Sequence, residues 1–124
     1  MALGRSKLVT FVPTTSAERA RRFYESILGL RFVRDDRFAM VFSANGVTLR
    51  IVKVAAFTPA PFTILGWEVS DVAATVRKLA AHDVAFQRYK GIDQDRLGIW
   101  SSPDGSRVAW FKDPDGNLLS VSQH

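Results

Sequence analysis

Apolar and polar positions follow two rhythms along this chain, and the rhythms come in the same order twice. From Lys7 to Val54, and again from Phe62 to Gln123, a short apolar run leads into a helical pattern and then strand-like runs. Thr10–Phe11–Val12–Pro13–Thr14–Thr15–Ser16 precedes the first helix, and Leu65–Gly66–Trp67–Glu68–Val69–Ser70–Asp71 precedes the second. Asn45–Gly46 opens Val47–Thr48–Leu49–Arg50–Ile51 just as Asp115–Gly116–Asn117 opens Leu118–Leu119–Ser120–Val121. Aligning Ser16 with Asp71 gives an offset of 55, whereas aligning Gly46 with Gly116 gives 70. The second copy therefore carries about 15 more residues, placed within Tyr89–Ser106.

The first helix has the clearest signals. Thr15–Ser16–Ala17–Glu18 fits a capping box, with Glu18 three residues after the Thr15 hydroxyl. Ala20, Phe23, Tyr24, Ile27 and Leu28 follow on one face, and Gly29 ends the helix. The second helix buries Val72, Val76, Leu79 and Ala80. Arg31–Asp35 and Arg37–Ser43 read as adjoining strands, and Ala44–Asn45–Gly46 as a hairpin turn. In the second copy Val84–Arg88 and Arg107–Lys112 read as strands. Ser102–Gly105 and Asp113–Gly116 read as turns, and Lys90–Leu97 as a loop at a rim or lid. The organisation is one domain over 1–124, with a first module at 7–56, a proline-broken linker at 57–61 and a second module at 62–124.

Composition narrows the class. The 124 residues are 47% hydrophobic and 23% charged, which suits a water-soluble globular domain. No apolar run is long enough to span a bilayer, and the first residues lack the apolar stretch of a secretory signal, so no membrane partner and a cytoplasmic location are expected. Without cysteine there is no disulfide, thiolate nucleophile or thiolate metal site. The net charge of +5 is uneven: residues 1–56 hold ten Lys/Arg against four Asp/Glu, and residues 57–124 hold seven against eight. The basic side chains are scattered rather than clustered, which argues against nucleic acid.

Ala20–Arg21–Arg22–Phe23–Tyr24 with Leu28–Gly29–Leu30, Gly66–Trp67–Glu68–Val69–Ser70–Asp71–Val72, and Phe111–Lys112–Asp113–Pro114–Asp115–Gly116–Asn117–Leu118 together resemble the vicinal oxygen chelate (glyoxalase/bleomycin resistance/dioxygenase) superfamily over nearly the whole chain. The resemblance implies an α+β fold of two tandem βαβββ modules forming a curved mixed-sheet cup, completed as a homodimer. Metal-dependent members take His or Gln from the first strand of each module and Glu from the last. Carried over by motif spacing, those positions fall on Val9, Arg50, Ile64 and Ser120. Two lack a donor atom, one is a cation and one a weak neutral oxygen, so no metal and no cofactor is expected there. His82 and His124 lie away from these positions.

If the former ligand positions face inward, strand alternation turns the same way Val9 and Phe11, Thr48 and Val52, Gly66 and Glu68, and Leu118 and Ser122. The opposite set (Leu49, Ile51, Leu65, Trp67, Val69, Leu119 and Val121) is apolar and packs on the helices. The ligand-binding candidates are accordingly Val9, Phe11, Thr48, Arg50, Ile64, Glu68, Trp100 and Ser120. Arg50 is a bidentate anchor for a carboxylate or similar oxyanion, or else a rim residue or structural partner of Glu68. Glu68 is also the candidate general base, provided it is desolvated. Trp100, Trp110, Phe86 and Tyr89 cluster near the insertion; Trp67 and Trp110 read as core, and Trp100 as a pocket or dimer residue.

The leading functional expectation is a metal-free small-molecule-binding member with an apolar cup. Its guest is neutral or anionic, and sequestration of an antibiotic or other aromatic metabolite is one role. The alternative is a glyoxalase-like lyase or isomerase, with displaced metal ligands or metal-free acid–base chemistry. A third is an interaction domain whose cup is filled by its own side chains.

Overall fold

The computed structural model describes residues 2–124. The chain divides into two compact units, Met1–Thr58 and Pro59–His124. In the first unit, β1 (Val9–Thr14) leads into α1 (Ala17–Arg21), which continues as a wider π-helical stretch, Arg22–Ile27. Three strands follow: β2 (Arg31–Asp35), β3 (Ala39–Ala44) and β4 (Val47–Lys53). They form a mixed sheet in the order β1-β4-β3-β2, with β1 parallel to β4 and the other pairs antiparallel. Pro13 is tolerated in β1 because that strand lies at the sheet edge.

The second unit repeats the plan. It comprises β5 (Leu65–Glu68), α2 (Val72–Ala80), β6 (Trp100–Ser101), β7 (Arg107–Lys112) and β8 (Leu118–Gln123), in the sheet order β5-β8-β7-β6. The fold is α+β, with two βαβββ modules and one mixed sheet in each. The helix caps are near copies: Ser16 has φ −143° and ψ 100°, and Asp71 has φ −142° and ψ 96°. Each side chain accepts an N–H three residues on, from Arg19 at 3.4 Å and from Ala74 at 3.0 Å. Both offsets read from the sequence meet in the parallel ladders. Phe11 pairs with Arg50, and their counterparts 55 and 70 residues later, Gly66 and Ser120, pair with each other.

Each core lies between a sheet and its helix. In the first module Val12, Leu49, Ile51, Met40 and Phe42 are buried with Ala20, Phe23 and Tyr24. In the second, Ala109, Phe111, Leu119 and Val121 are buried with Val72, Val76 and Leu79. Each such side chain contributes about 1.5–3 kcal/mol on leaving water. The Asn45–Gly46 hairpin forms as expected, with φ of 48° and 81° at the two central residues.

Four local expectations need correction. Ser16, not Thr15, caps α1, because the Thr14 hydroxyl bonds both the N–H and the carbonyl of Ser16 and holds it extended. Ala80 is exposed; the stripe of α2 closes at Leu79. Strand β3 starts at Ala39 rather than Arg37, because the Asp36 carboxylate accepts the N–H groups of Phe38 and Ala39 and folds that stretch into a turn. Val84–Arg88 is not a strand: it makes one bridge, Phe86 to Phe111, and a bond from Gln87 N–H to the Trp110 carbonyl. The fourth strand comes instead from the insertion, as Trp100–Ser101.

Candidate functional site

Residues paired across a ladder share a face, so the registers assign every candidate to a side of its sheet. On the first sheet, the face turned away from α1 carries the row Phe11–Arg50–Val41–Arg34 and the row Val9–Thr48–Ser43–Arg31. Val9, Phe11, Thr48 and Arg50 therefore do share one surface. Phe11 is 60% exposed. Arg50 is engaged by Asp36 (Nη2 to Oδ2, 3.2 Å), where the sequence had offered Glu68 as its structural partner. Asp36 has no counterpart in the inward pattern read from the sequence, because it lies in the β2–β3 turn. Its carboxyl is held below the ordinary range mainly by the Ala39 and Phe38 N–H groups, with Arg50 adding to them. Lys53 clamps the same turn through the Asp35 carboxylate and the Asp36 carbonyl.

On the second sheet, the face away from α2 carries Gly66–Ser120–Trp110 as one row and Glu68–Ser122–Val108–Trp100 as the next. A third row is Leu118–Lys112, with Ile64 joined to it through its N–H bond to the Leu118 carbonyl. Ile64, Glu68, Trp100 and Ser120 thus share this surface. Glu68 is exposed at the end of β5, so water reaches the carboxylate and the desolvation required of a general base is absent. Ser120 presents a hydroxyl that makes no hydrogen bond and is not sealed from solvent. It lies against Gly66, where an added Cβ would come within 2.6 Å of its oxygen.

Trp110 belongs to this surface and not to the core. Its ring lies 5.6 Å from Tyr89, edge to face, and 6.2 Å from Trp100. Phe86 lies on the helix side instead, 5.5 Å from Phe111, which also stacks with Trp67 at 6.5 Å. The expected four-ring cluster is thus divided by the sheet. Tyr89 is placed by Gln94, whose side-chain carbonyl accepts its N–H at 2.7 Å while the amide donates to the carbonyls of Gln87 and Gly98. The Lys90–Leu97 loop is therefore tied down at its centre. Partial burial also pushes the Tyr89 phenol up from its ordinary range.

A cleft of about 310 Å³ lies at the Lys112 end of this surface, walled by Pro59, Ala60, Pro61, Tyr89, Gly116 and Leu118. Trp110, Tyr89, Lys112 and the two prolines lie on this surface without being among the ligand-binding candidates of the sequence, although Trp110 and Tyr89 had a place in its aromatic cluster. The parity of Val108, Trp110 and Lys112 along one strand was the available signal. As for a metal, Val9, Arg50, Ile64 and Ser120 supply no imidazole or carboxylate, so they do not fit the ligand set of metal-dependent relatives. Among the described residues no three of His, Asp and Glu converge as an ion site.

The model of the Glyoxalase/Bleomycin resistance protein/Dioxygenase superfamily matches residues 8–121, and the chain belongs to that superfamily. No protein of curated function matches it in sequence. Among solved structures, a superfamily member from Sphaerobacter thermophilus DSM 20745 superposes with a TM-score of 0.76 at 19% identity, covering 96% of this chain and 97% of the other. Lactoylglutathione lyase from Agrobacterium tumefaciens gives 0.73 at 16% identity, with 95% and 92% covered. TnmS3, an antibiotic binding protein from Streptomyces sp. CB03234, gives 0.71 at 22% identity, with 95% and 94% covered. At these identities the likeness establishes the fold. Among the described residues no helix is long and apolar enough to cross a membrane.

Proposed function

We propose that this chain is a metal-independent small-molecule-binding member of its superfamily, whose guest is a planar organic compound, neutral or anionic. The observation that carries this reading is the Tyr89–Trp110–Trp100 row beside the side-chain-free floor at Gly66 and the unpartnered Ser120 hydroxyl. Aromatic edges and faces hold a flat ring by offset stacking, and the serine supplies one directional contact. The antibiotic-binding relative on the same fold supports it, with sequestration as the role. Exposed Glu68 weighs against a lyase or isomerase running on acid–base chemistry. The protein works in the cytoplasm and as a homodimer, the dimer being supported by the apolar side chains left in water at Leu8 and Phe38.

Two of the three tryptophans lie in the row, so intrinsic fluorescence reports on it directly. Titration with flat bicyclic compounds should quench the emission saturably. Trp110→Leu should weaken binding at least about tenfold, the loss of roughly 1.4 kcal/mol expected for a stacking partner. Equal affinity in the variant would remove this surface as the site.

A further inference from the structure

The cleft at the end of the aromatic row has one charged side chain in its lining, Lys112. The rest is proline, alanine, glycine, leucine and tyrosine, which bring no negative charge near it. Among the described residues the Lys112 side chain makes no ion pair or hydrogen bond. The nearest carboxylate in sequence, Asp113, is turned to the other side of the strand and consumed by the turn. It accepts the N–H groups of Asp115 and Asn117 and the Asn117 side-chain amide, and it is 6% exposed. Lys112 is exposed and borders apolar walls that cannot themselves balance the charge of an anion.

The walls are fixed. Pro59 packs on Gly116, where an added Cβ would lie 3.3 Å from the proline ring, so the linker rests on the β7–β8 turn. Tyr89 is common to the cleft and to the aromatic row. Lys112 follows Trp110 by two residues on the same face of β7, about 6.6–6.8 Å further along the strand. A ring against Trp110 and an oxyanion at Lys112 can therefore belong to one molecule. The volume is at the small end of the range for ligand clefts, roughly 300–1,000 Å³.

We propose that this cleft is the acid-binding end of the ligand site, selecting planar compounds of one or two rings that carry a carboxylate. The inference rests on the aromatic-row reading above, and it names the chemical class that reading leaves open. An ammonium aimed at a carboxylate over apolar walls makes a charge-assisted hydrogen bond that a neutral amide cannot match.

The matched probes are 2-naphthoate and 2-naphthamide, followed by calorimetry and tryptophan quenching on the full chain. The wild-type protein should prefer the carboxylate by about tenfold or more. Lys112→Met, which keeps the apolar stem, should bring the affinity for the carboxylate down to that for the amide, and Lys112→Arg should retain the preference. No preference in the wild type, or a preference that survives Lys112→Met, overturns the proposal. Trp110→Leu separates the two readings. If it weakens both probes equally and the preference persists, both stand; if it changes neither while the preference tracks Lys112, the cleft stands and the aromatic row falls. Failure of both probes to bind the wild type sinks both.

Discussion

Asp36 acts on three groups at once: the N–H groups of Phe38 and Ala39 and the guanidinium of Arg50. All three favour the ionised carboxyl, which is why its folded-state affinity for a proton is lowered. Its contribution is therefore complete above the unfolded value of about 3.9 and is lost as pH falls through the lower folded value. Asp36→Asn keeps an oxygen for the turn but removes the charge. The gap in melting temperature between wild type and Asp36→Asn should be constant from pH 7 to 5 and should close below about pH 4. A gap that persists at pH 2 would show that the charge is not what matters. The same variant tests Arg50, since its anchor role requires a ligand acid to compete with Asp36. With Lys112 as the acid anchor, carboxylate affinity should be the same in Asp36→Asn and Arg50→Ala as in the wild type; a fall in Arg50→Ala would put Arg50 in the binding set instead. Asp113 illustrates the opposite case, a conspicuous acid with a structural task. Replacing it by Ala removes the acceptor of the Asp115 and Asn117 N–H groups and of the Asn117 side-chain amide, and should cost about 1–3 kcal/mol, or roughly 5–15 °C in a thermal melt.

At the level of elements, the insertion in the second module works as a brace for the aromatic surface. Its Trp100–Ser101 pairs with β7, and Gln94 ties the preceding loop to Gln87, Tyr89 and Gly98. Gln94→Ala should speed hydrogen exchange at Tyr89 and neighbouring amides by at least about tenfold and weaken ring binding, with the α2 core unaffected. Exchange spread evenly over the module would contradict this bracing role. The helices, the hairpin at Asn45–Gly46 and seven of the eight strands were legible because periodicity, caps and turn chemistry agree there. The face of Trp110 was not. It depends on the link from Lys112 to Leu118, and a link one residue shorter would have set Trp110 opposite Leu119, on the helix side. Periodicity also could not reveal the π-helical widening of α1, where Leu28 N–H reaches the Phe23 carbonyl at 2.9 Å, because the same apolar stripe serves either helix.

For the molecule as a whole, the repeat gives the candidate site its frame while the chemistry at repeated positions has diverged. The four inherited ligand positions are the clearest instance, and they predict indifference to metal. Chelator treatment should leave the melting temperature within about 1 °C, and added zinc should not raise it, as it would for a protein that gains a specific ligand. A zinc-dependent rise in stability would reopen the displaced-ligand alternative. Light scattering should report about twice the 13.8 kDa chain mass for the homodimer, and a single-chain mass would remove that part of the proposal. The residue-by-residue comparison of the copies also explains why the site candidates were partly readable. Alternation and the two offsets assign a face to each position, but a turn carboxylate such as Asp36 and a linker wall such as Pro59 fall outside any strand pattern.

Phe11 and Gly66 occupy matching places in the two copies, one paired with Arg50 and the other with Ser120. One half of the duplication thus sets a benzyl group beside a guanidinium, and the other sets a bare methylene beside a hydroxymethyl. Phe11→Gly and Gly66→Phe would exchange the two side chains, and the second would have to displace the Ser120 hydroxyl, because even a Cβ at Gly66 comes within 2.6 Å of it.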